Sequence, residues 1–186
     1  MILPIIAYGD AVLRKRAEDV PKDYPKLQEL IDNMFETMYN ASGVGLAAPQ
    51  VGLSLRLLVV DGEPFAEDDE VAGELKGAFI NPVIKKMEGE LWKMNEGCLS
   101  LPRIREDVSR HETIEMEYYD SSWNKHTKTF SGIAARILLH EYDHIEGLLI
   151  IDRISPLRKR LIEKKLIDIS KGNINVEYKM KFPIKK

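Results

Sequence analysis

The sequence has very little cysteine and no long apolar run. Cys98 is the single cysteine among 186 residues, so no disulfide can form within the chain and a reducing compartment is expected. No apolar run approaches the ~20 residues that a membrane-spanning helix needs. The first seven residues, MILPIIA, lack a basic n-region and are too short for a secretory signal. We therefore expect a cytoplasmic protein that does not insert into a membrane.

The chain also lacks an excess of charge of either sign. Its 27 Lys and Arg against 30 Asp and Glu leave a formal net charge of −3, which argues against general affinity for DNA or for membrane surfaces. Hydrophobic residues make up 44% and charged residues 31%, which is ordinary for a globular protein. Because no repeat or linker divides the sequence, we expect one domain over residues 1–186.

The hydrophobic pattern predicts an α+β fold, with helices and strands segregated along the chain. An irregular arm is expected up to Val20, and an acidic surface loop at residues 63–77. Helices are expected from Pro25 to about Asn40, from 133 to 147 with Ser131 as the cap, and at about 156–168. Strands are expected at 56–60, 79–84, 88–94, 113–119, 125–130 and 175–180, with 113–119 and 125–130 forming a hairpin.

An H-E-x-x-H pattern, His140-Glu141-Tyr142-Asp143-His144, lies inside an apolar segment. Residues four apart share one face of a helix, so both imidazoles would point at the same spot. Neutral imidazoles suit zinc or iron, and the intervening Glu can act as base toward a metal-activated water. The alternative is a buried helix in which core contacts satisfy both histidines. The pattern favours a metal site but does not name a reaction.

The third protein ligand distinguishes the families that use this pattern, because a catalytic site keeps three protein ligands and one open position. Ile150 stands where the metzincin pattern has a histidine. Glu163 stands near the position of the thermolysin-type ligand, but basic residues surround it and favour a solvated ion pair. Cys98 remains, and a thiolate beside two imidazoles suits zinc or ferrous iron. A structural metal module would need a fourth ligand such as His111 or His126.

Three segments together resemble the signature motifs of peptide deformylases, in that family's order. They are Gly43–Gln50, Glu96–Ser100 and His140–His144. Tyr8–Arg14 is also similar to the family's N-terminal region, so the resemblance covers most of the chain. It implies a compact α+β domain whose antiparallel strands surround the metal-binding helix, in the bacterial form with a C-terminal helix.

The resemblance also implies a reaction and a cofactor. The family hydrolyses the N-formyl group from the initiator methionine of new polypeptides and releases formate. Cys98, His140 and His144 would hold one divalent ion, usually Fe(II), with zinc, nickel or cobalt able to occupy the site.

The same resemblance assigns the catalytic groups. A metal-bound water would attack the formyl carbonyl, with Glu141 as general base and then as acid. The Gln50 amide and the Leu99 backbone N–H would stabilise the negative charge that develops on the carbonyl oxygen.

Substrate contacts follow from the resemblance as well. The backbone of Val44, Gly45 and Gly97 would pair with the extended peptide as an added strand, which small residues permit. Ile133 and Ile137 would line an apolar pocket for the methionine side chain. For these two isoleucines, ordinary core packing is an equally good alternative.

Charged residues complete the expected site. Arg105 matches a family position near the peptide backbone, and Glu96 with Arg110 resembles a structural ion pair behind the metal. The basic residues Arg158–Arg160 and Lys164–Lys165 could dock on ribosomal RNA, although a solvated helix face is the favoured interpretation of these charges.

Overall fold

The computed structural model describes residues 1–183. We number the strands β1–β7 and the helices α1–α5 in chain order. The strands are Ile5–Ile6, Gly45–Ala47, Leu57–Asp61, Lys76–Cys98, Leu101–Tyr119, Lys125–Ser131 and Met180–Lys181, and the helices are Leu27–Asn40, Glu70–Gly73, Gly132–Ile145, Pro156–Leu161 and Glu163–Ser170. Strands β2 to β6 form one antiparallel sheet in sequence order, and β1 pairs with β7 in a separate parallel ribbon.

Helix α1 confirms the expected helix, because its apolar residues recur at helical spacing and make one face. Leu27, Ile31, Met34 and Met38 on that face are buried. They pack in one hydrophobic cluster with residues of β2 and β3 such as Leu46. This packing holds the segment that follows α1, and with it β2, in place beside the metal helix.

A long hairpin of β4 and β5 is the largest departure from the expected strands. The separate strands at 79–84 and 88–94 are wrong, since β4 runs unbroken through both with register shifts that include one between Glu88 and Leu91. Such bulges break the period-two pattern. Strand β5 begins at Leu101 and not at Thr113, because its inner face carries Glu106 and Arg110 between apolar residues and so conceals the alternation.

Helix α3 confirms the helix predicted around the H-E-x-x-H pattern and lies buried against the sheet. Ala134, Ala135 and Leu138 belong to one core cluster with residues of β3 and β5. Ser131 occupies the cap position, but no capping hydrogen bond from its side chain is found. Its hydroxyl instead lies 2.9 Å from that of Thr113 on β5. The expected position of the cap is therefore right, but the expected capping hydrogen bond is wrong.

The remaining predicted segments differ in detail. The irregular arm contains β1, and the expected loop at 63–77 contains the short helix α2. The helix expected at 156–168 is two helices that meet at Ile162, a buried residue. The strand expected at 175–180 is wrong, because only Met180 of that range lies in β7. Within residues 1–183, no helix has the length and apolar character needed to cross a membrane.

Candidate metal centre

Cys98, His140 and His144 converge at the junction of β4 and α3. Cys98 is the last residue of β4, and the two histidines lie one helical turn apart on α3. The ligand atoms of the three side chains all lie within 4.8 Å of one another, and no other such group of His, Cys, Asp or Glu is found in the part of the chain that the structure describes. The Cys98 Sγ atom is 3.4 Å from His144 Nε2.

The donor set fits a divalent metal of the zinc and ferrous iron class, which accepts imidazole nitrogen and thiolate sulfur. The Nδ1 atom of His140 lies 2.9 Å from a carboxylate oxygen of Glu96, so Nε2 is the nitrogen left for a ligand bond. Burial lowers the pKa of His144 well below its ordinary value, which keeps that ring neutral as a ligand must be. The three residues can therefore hold a metal.

Glu96 lies behind His140 in a buried ionic network. Its carboxylate accepts hydrogen bonds from Arg110 Nε at 2.7 Å and Arg110 Nη2 at 3.0 Å, and from Arg136 Nη1 at 2.8 Å. Burial alone would raise the pKa of Glu96, but hydrogen bonds from His140 and Arg110 outweigh it and hold that pKa well below its usual range. The expected ion pair of Glu96 and Arg110 is confirmed.

Three charged residues of this network escaped the sequence analysis. Asp143 accepts from Arg110 Nη1 at 2.7 Å and from both Arg153 Nε and Nη2. Arg136 is buried and donates to the Val108 and Trp92 carbonyls as well as to Glu96. For Arg136 and Asp143, the only signal in the sequence was the presence of charges within an apolar helix; Arg153 lies after that helix at an exposed position and gave no signal. Such charges need partners that are distant in sequence.

Glu141 points into the site from the same turn of α3 as His140. It is buried, and its Oε2 atom has no hydrogen-bond partner in the described part of the chain. Burial raises the pKa of Glu141 to about 7. A carboxyl group with a pKa near neutrality can both accept and return a proton, as general base and acid chemistry requires.

Gly45 lies directly against Glu141. A Cβ atom on Gly45 would overlap the carboxyl group of that glutamate. Gly45 is also part of β2, the edge strand of the five-stranded sheet, where it pairs with Val60 on one side only. Contact with Glu141 therefore requires a glycine at position 45, whether or not a peptide also approaches this strand.

Gln50 is buried in the turn that follows β2, and both ends of its amide are engaged. Its Oε1 atom accepts from the Ala47 N–H at 3.0 Å. Its Nε2 atom donates to Ser100 Oγ at 3.3 Å and faces Cys98 Sγ at 3.7 Å. The carbonyl contact fixes the orientation of the amide, so its N–H groups point toward Cys98 and Ser100.

Leu99 and Ser100 form the tight turn between β4 and β5, immediately after the candidate ligand Cys98. The hydroxyl of Tyr178 donates to the Leu99 carbonyl at 2.7 Å, and the Tyr8 N–H donates to the Ser100 carbonyl at 2.9 Å. Burial raises the pKa of Tyr178 to about 12, so its hydroxyl keeps the proton that it donates.

A cavity of about 630 Å³ opens onto this centre. Of the residues that the resemblance assigns to catalysis, metal binding or substrate contact, His144 alone is absent from the cavity lining. Its lining includes Val44, Gly45, Gln50, Gly97, Cys98, Leu99, Arg105, Ile133, Ile137, His140 and Glu141. Ile137 is buried and Ile133 is half-buried, and both pack on the core cluster of α3. The two isoleucines thus belong to the core and to the cavity at once.

Arg105 lies at the exposed rim of the cavity on β5. Its Nε atom donates to the Asn95 side chain at 2.7 Å, and Nη2 donates to the Asn95 carbonyl at 3.2 Å. A Cβ atom on Gly97 would come within 2.7 Å of Arg105 Nη1. Gly97 therefore lets the Arg105 side chain cross β4.

One side of the cavity was not foreseen. Residues 175–178, near the described end of the chain, also line it. The sequence had suggested this segment only as a closing strand. No local pattern marks it as part of a site, because its contacts are with segments far away in the chain.

The alternative ligands considered in the sequence are not part of the cluster. Glu163 is exposed on α5. The Nδ1 atom of His111 lies 3.3 Å from the Gly89 carbonyl, and His126 Nε2 lies 2.7 Å from Asp120. The described residues thus offer a cluster of three protein ligands that borders a cavity, which is the arrangement of a catalytic metal site.

Comparison with known proteins identifies the family. The sequence model of the polypeptide deformylase family matches residues 2–160. The peptide deformylase of Christiangramia forsetii is 60% identical, over 98% of this chain and 97% of that protein, and that of Flavobacterium psychrophilum is 53% identical over the whole of both. The crystal structure of peptide deformylase from Thermotoga maritima, 43% identical, superimposes with a TM-score of 0.75 over 84% of this chain and 99% of that chain. The chain therefore belongs to the polypeptide deformylase family of enzymes.

Proposed function

We propose that the protein is a metal-dependent hydrolase that removes the N-formyl group from the initiator methionine of nascent polypeptides and releases formate. The observation that carries this proposal is the cluster of Cys98, His140 and His144 with the Glu141 carboxyl group beside it, bordering one cavity. Family membership supports the reaction class. The contacts of the individual side chains support the roles below.

The metal would be held by the Cys98 thiolate and the Nε2 atoms of both histidines, with Fe(II) as the proposed ion in the cell and zinc, nickel or cobalt as alternatives. A bound divalent ion supplies Lewis acidity that polarises a carbonyl group and acidifies water. Glu96 supports the site by fixing the tautomer of His140 through its Nδ1 atom. Metal analysis of anaerobically purified protein tests the choice of ion, and a predominance of zinc would contradict it.

Glu141 is the proposed general base and acid. Its buried carboxyl group, with a pKa raised to about 7, can take a proton from the attacking water and return it to the departing amine. The unpartnered Oε2 atom leaves an acceptor free for that water.

Gln50 and Leu99 are the proposed donors to the carbonyl oxygen as it becomes negatively charged. The Gln50 amide is oriented by the Ala47 N–H, and the Leu99 N–H belongs to a turn that is anchored at both of its carbonyls. Donors held before the reaction lose little free energy to reorganisation, and losing one typically costs about 10²–10³ in turnover.

The proposed substrate is an extended peptide that adds to the open edge of β2. Because β2 is an edge strand, the backbone at Val44 and Gly45 can pair with a peptide on its outer side, with the backbone at Gly97 across the cavity. Ile133 and Ile137 would contact the methionine side chain at the cavity floor, and Arg105 would lie near the peptide backbone at the rim.

A basic surface on α4 and α5 is the proposed contact with the ribosome. Docking there would mean that the protein acts in the cytoplasm, where nascent polypeptides emerge. Arg158 is already paired, with its guanidinium 2.8 and 3.0 Å from the two Glu106 oxygens. Lys159, Arg160, Lys164 and Lys165 are exposed and carry the proposal. Changing these four to Glu should weaken co-sedimentation with ribosomes. Unchanged co-sedimentation would contradict docking without touching the proposed reaction.

Formate release from a formyl-Met tripeptide by iron-loaded protein tests the proposed function. Glu141→Gln should lower turnover by at least about 10²-fold, because the transferred proton loses its acceptor, while the metal content stays the same. Glu163→Gln is the matched control at an exposed position of α5 and should keep full turnover.

Other outcomes would contradict this proposal. Cleavage of internal peptide bonds without formate release would indicate a metallopeptidase. Equal turnover of the Glu141→Gln variant and the wild-type protein would remove Glu141 from the mechanism.

A further inference from the structure

The segment 175–178 lines the cavity although it lies beyond residues 2–160, which match the family. Asn175, Val176, Glu177 and Tyr178 alternate between exposed and half-buried positions. The side chains of Val176 and Tyr178 therefore face the protein, while the other two face solvent. This segment is the part of the cavity lining that the proposed mechanism does not use.

Tyr178 makes a specific contact with the turn that carries the proposed Leu99 donor. Its hydroxyl donates to the Leu99 carbonyl at 2.7 Å. That turn has two residues between strands, Leu99 and Ser100, and it directly follows the proposed ligand Cys98. A hydrogen bond at the Leu99 carbonyl restrains rotation about the Cα–C bond of Leu99, and so restrains the residue that carries the proposed donor N–H.

The rest of the C-terminal segment fixes the position of Tyr178. Strand β7 pairs in parallel with β1, Met180 opposite Ile5 and Lys181 opposite Ile6. Ile174, Met180 and Phe182 pack on the hydrophobic cluster that includes Leu101 of β5. Tyr178 is therefore attached on both sides to well-packed residues.

The N-terminal arm holds the same turn from its other carbonyl. Tyr8 follows β1 and donates its backbone N–H to the Ser100 carbonyl at 2.9 Å. The segments next to β1 and β7 thus supply one donor to each carbonyl of the turn. Tyr178, before β7, donates its hydroxyl to Leu99, and Tyr8, after β1, donates its backbone N–H to Ser100.

We propose that Tyr178 is a positioning residue for the hydrolysis, which holds the Leu99 N–H in the place where it meets the substrate carbonyl oxygen. This inference rests on the proposed function. Oxyanion donors act through placement within a few tenths of an ångström, and a shift of 1 Å can cost about 10²-fold in rate. Loss of the hydroxyl alone leaves the tyrosine ring, and hence the packing of the segment, in place.

The experiment compares Tyr178→Phe with Tyr119→Phe in the metal-loaded full-length protein. Tyr119 lies at the opposite end of β5 from the turn and packs on Trp123, so its variant is a matched loss of one hydroxyl. We expect Tyr178→Phe to lower kcat for formate release about tenfold with KM within about twofold of the wild-type value. Tyr119→Phe should change neither.

A second readout does not depend on turnover. Hydrogen–deuterium exchange of the metal-free protein should be faster at the Leu99 and Ser100 amides in Tyr178→Phe, with the thermal midpoint lowered no more than in Tyr119→Phe. Equal kcat in the two variants would overturn the inference, and so would a parallel loss of kcat and thermal stability. Absence of formate release from the wild-type protein would overturn the proposed function itself, and the inference with it.

Discussion

At the scale of single residues, Glu141 has room for its carboxyl group only because residue 45 is a glycine. Gly45→Ala places a methyl group where the Glu141 carboxyl group lies, and α3 cannot retreat because it is buried against the sheet. We expect overpacking to lower the free energy of unfolding by about 1–3 kcal/mol and displacement of the carboxyl group to lower kcat about 10²-fold. Urea denaturation and formate release measure the two effects.

Gly97→Ala is the contrasting variant for this prediction. Its new methyl group meets the end of the exposed Arg105 side chain, which can move into solvent. A smaller loss of kcat is therefore expected than for Gly45→Ala. Equal losses of kcat in the two variants would contradict the prediction, because displacement of Glu141 would then not explain the loss in Gly45→Ala.

A second prediction at the residue scale concerns Glu96, which compensates Arg110 and Arg136 and also holds His140. Glu96→Gln removes the charge and keeps the shape. Because two guanidinium groups then lose a buried counter-charge, the free energy of unfolding should fall by about 3–5 kcal/mol. Metal affinity should fall about 10- to 100-fold, because the ligand loses its supporting carboxylate.

Urea denaturation and competition with a metal chelator measure these changes. The control is Glu18→Gln, which removes an exposed carboxylate paired with Lys15 three residues earlier. Exposed pairs of this kind contribute little, so no measurable change is expected. Unaltered metal affinity in Glu96→Gln would contradict the role of Glu96 behind His140.

At the scale of elements, the carboxylate of Asp120 holds the turn between β5 and β6 together. Asp120 accepts hydrogen bonds from the backbone N–H groups of Ser122 and Asn124 and lies 2.7 Å from His126 Nε2. The contact with His126, followed by the Asn124 amide, lowers the pKa of Asp120 from 3.8 to about 2.

The sign of the pH dependence follows from this shift. A carboxyl group whose pKa is lower in the folded state stabilises that state above its unfolded pKa, and the contribution is lost as the pH falls through the folded value. We expect Asp120→Asn to be less stable than the wild-type protein at neutral pH and the two to converge as the pH falls from about 4 to about 2. Parallel stability curves across that range would contradict the prediction.

An NMR titration of the Asp120 carboxyl carbon measures the pKa of this group directly. His126→Ala should raise the pKa of Asp120 toward its ordinary value, since it removes the largest cause of the shift. His111→Ala, which removes a histidine on the same sheet at a different position, serves as the control and should leave the Asp120 titration unchanged.

At the scale of the whole molecule, the proposed metal ligands lie on two elements that are far apart in sequence, β4 and α3. An ion that binds the folded chain and not the unfolded chain raises the thermal midpoint by mass action. We expect Ni²⁺ to raise the midpoint of chelator-treated protein in a concentration-dependent way. Cys98→Ser should largely abolish the rise, whereas Glu163→Gln should leave it intact. A rise retained in Cys98→Ser would contradict Cys98 as a ligand.

The amino-acid sequence by itself determined the helices α1 and α3 and the family. Both helices are long and carry apolar residues at helical spacing, so local periodicity was enough to find them. The His140 and His144 pair follows from the spacing of one helix turn, and the three motifs around Gln50, Cys98 and His140 made the family recognisable before any tertiary contact was known. The resemblance singled out Gly45 and Gly97 as backbone contacts of an extended peptide, a use that small residues permit.

Tertiary structure alone decided the full length of β4 and β5, because bulges and inward-facing charges hide their alternation. It also decided the partners of Glu96 and Asp143, which come from different elements. The place of Tyr178 beside Leu99 joins residues 79 positions apart in the chain. Local sequence patterns report periodicity within one element, whereas these contacts depend on where distant segments meet, and only the folded chain brings those segments together.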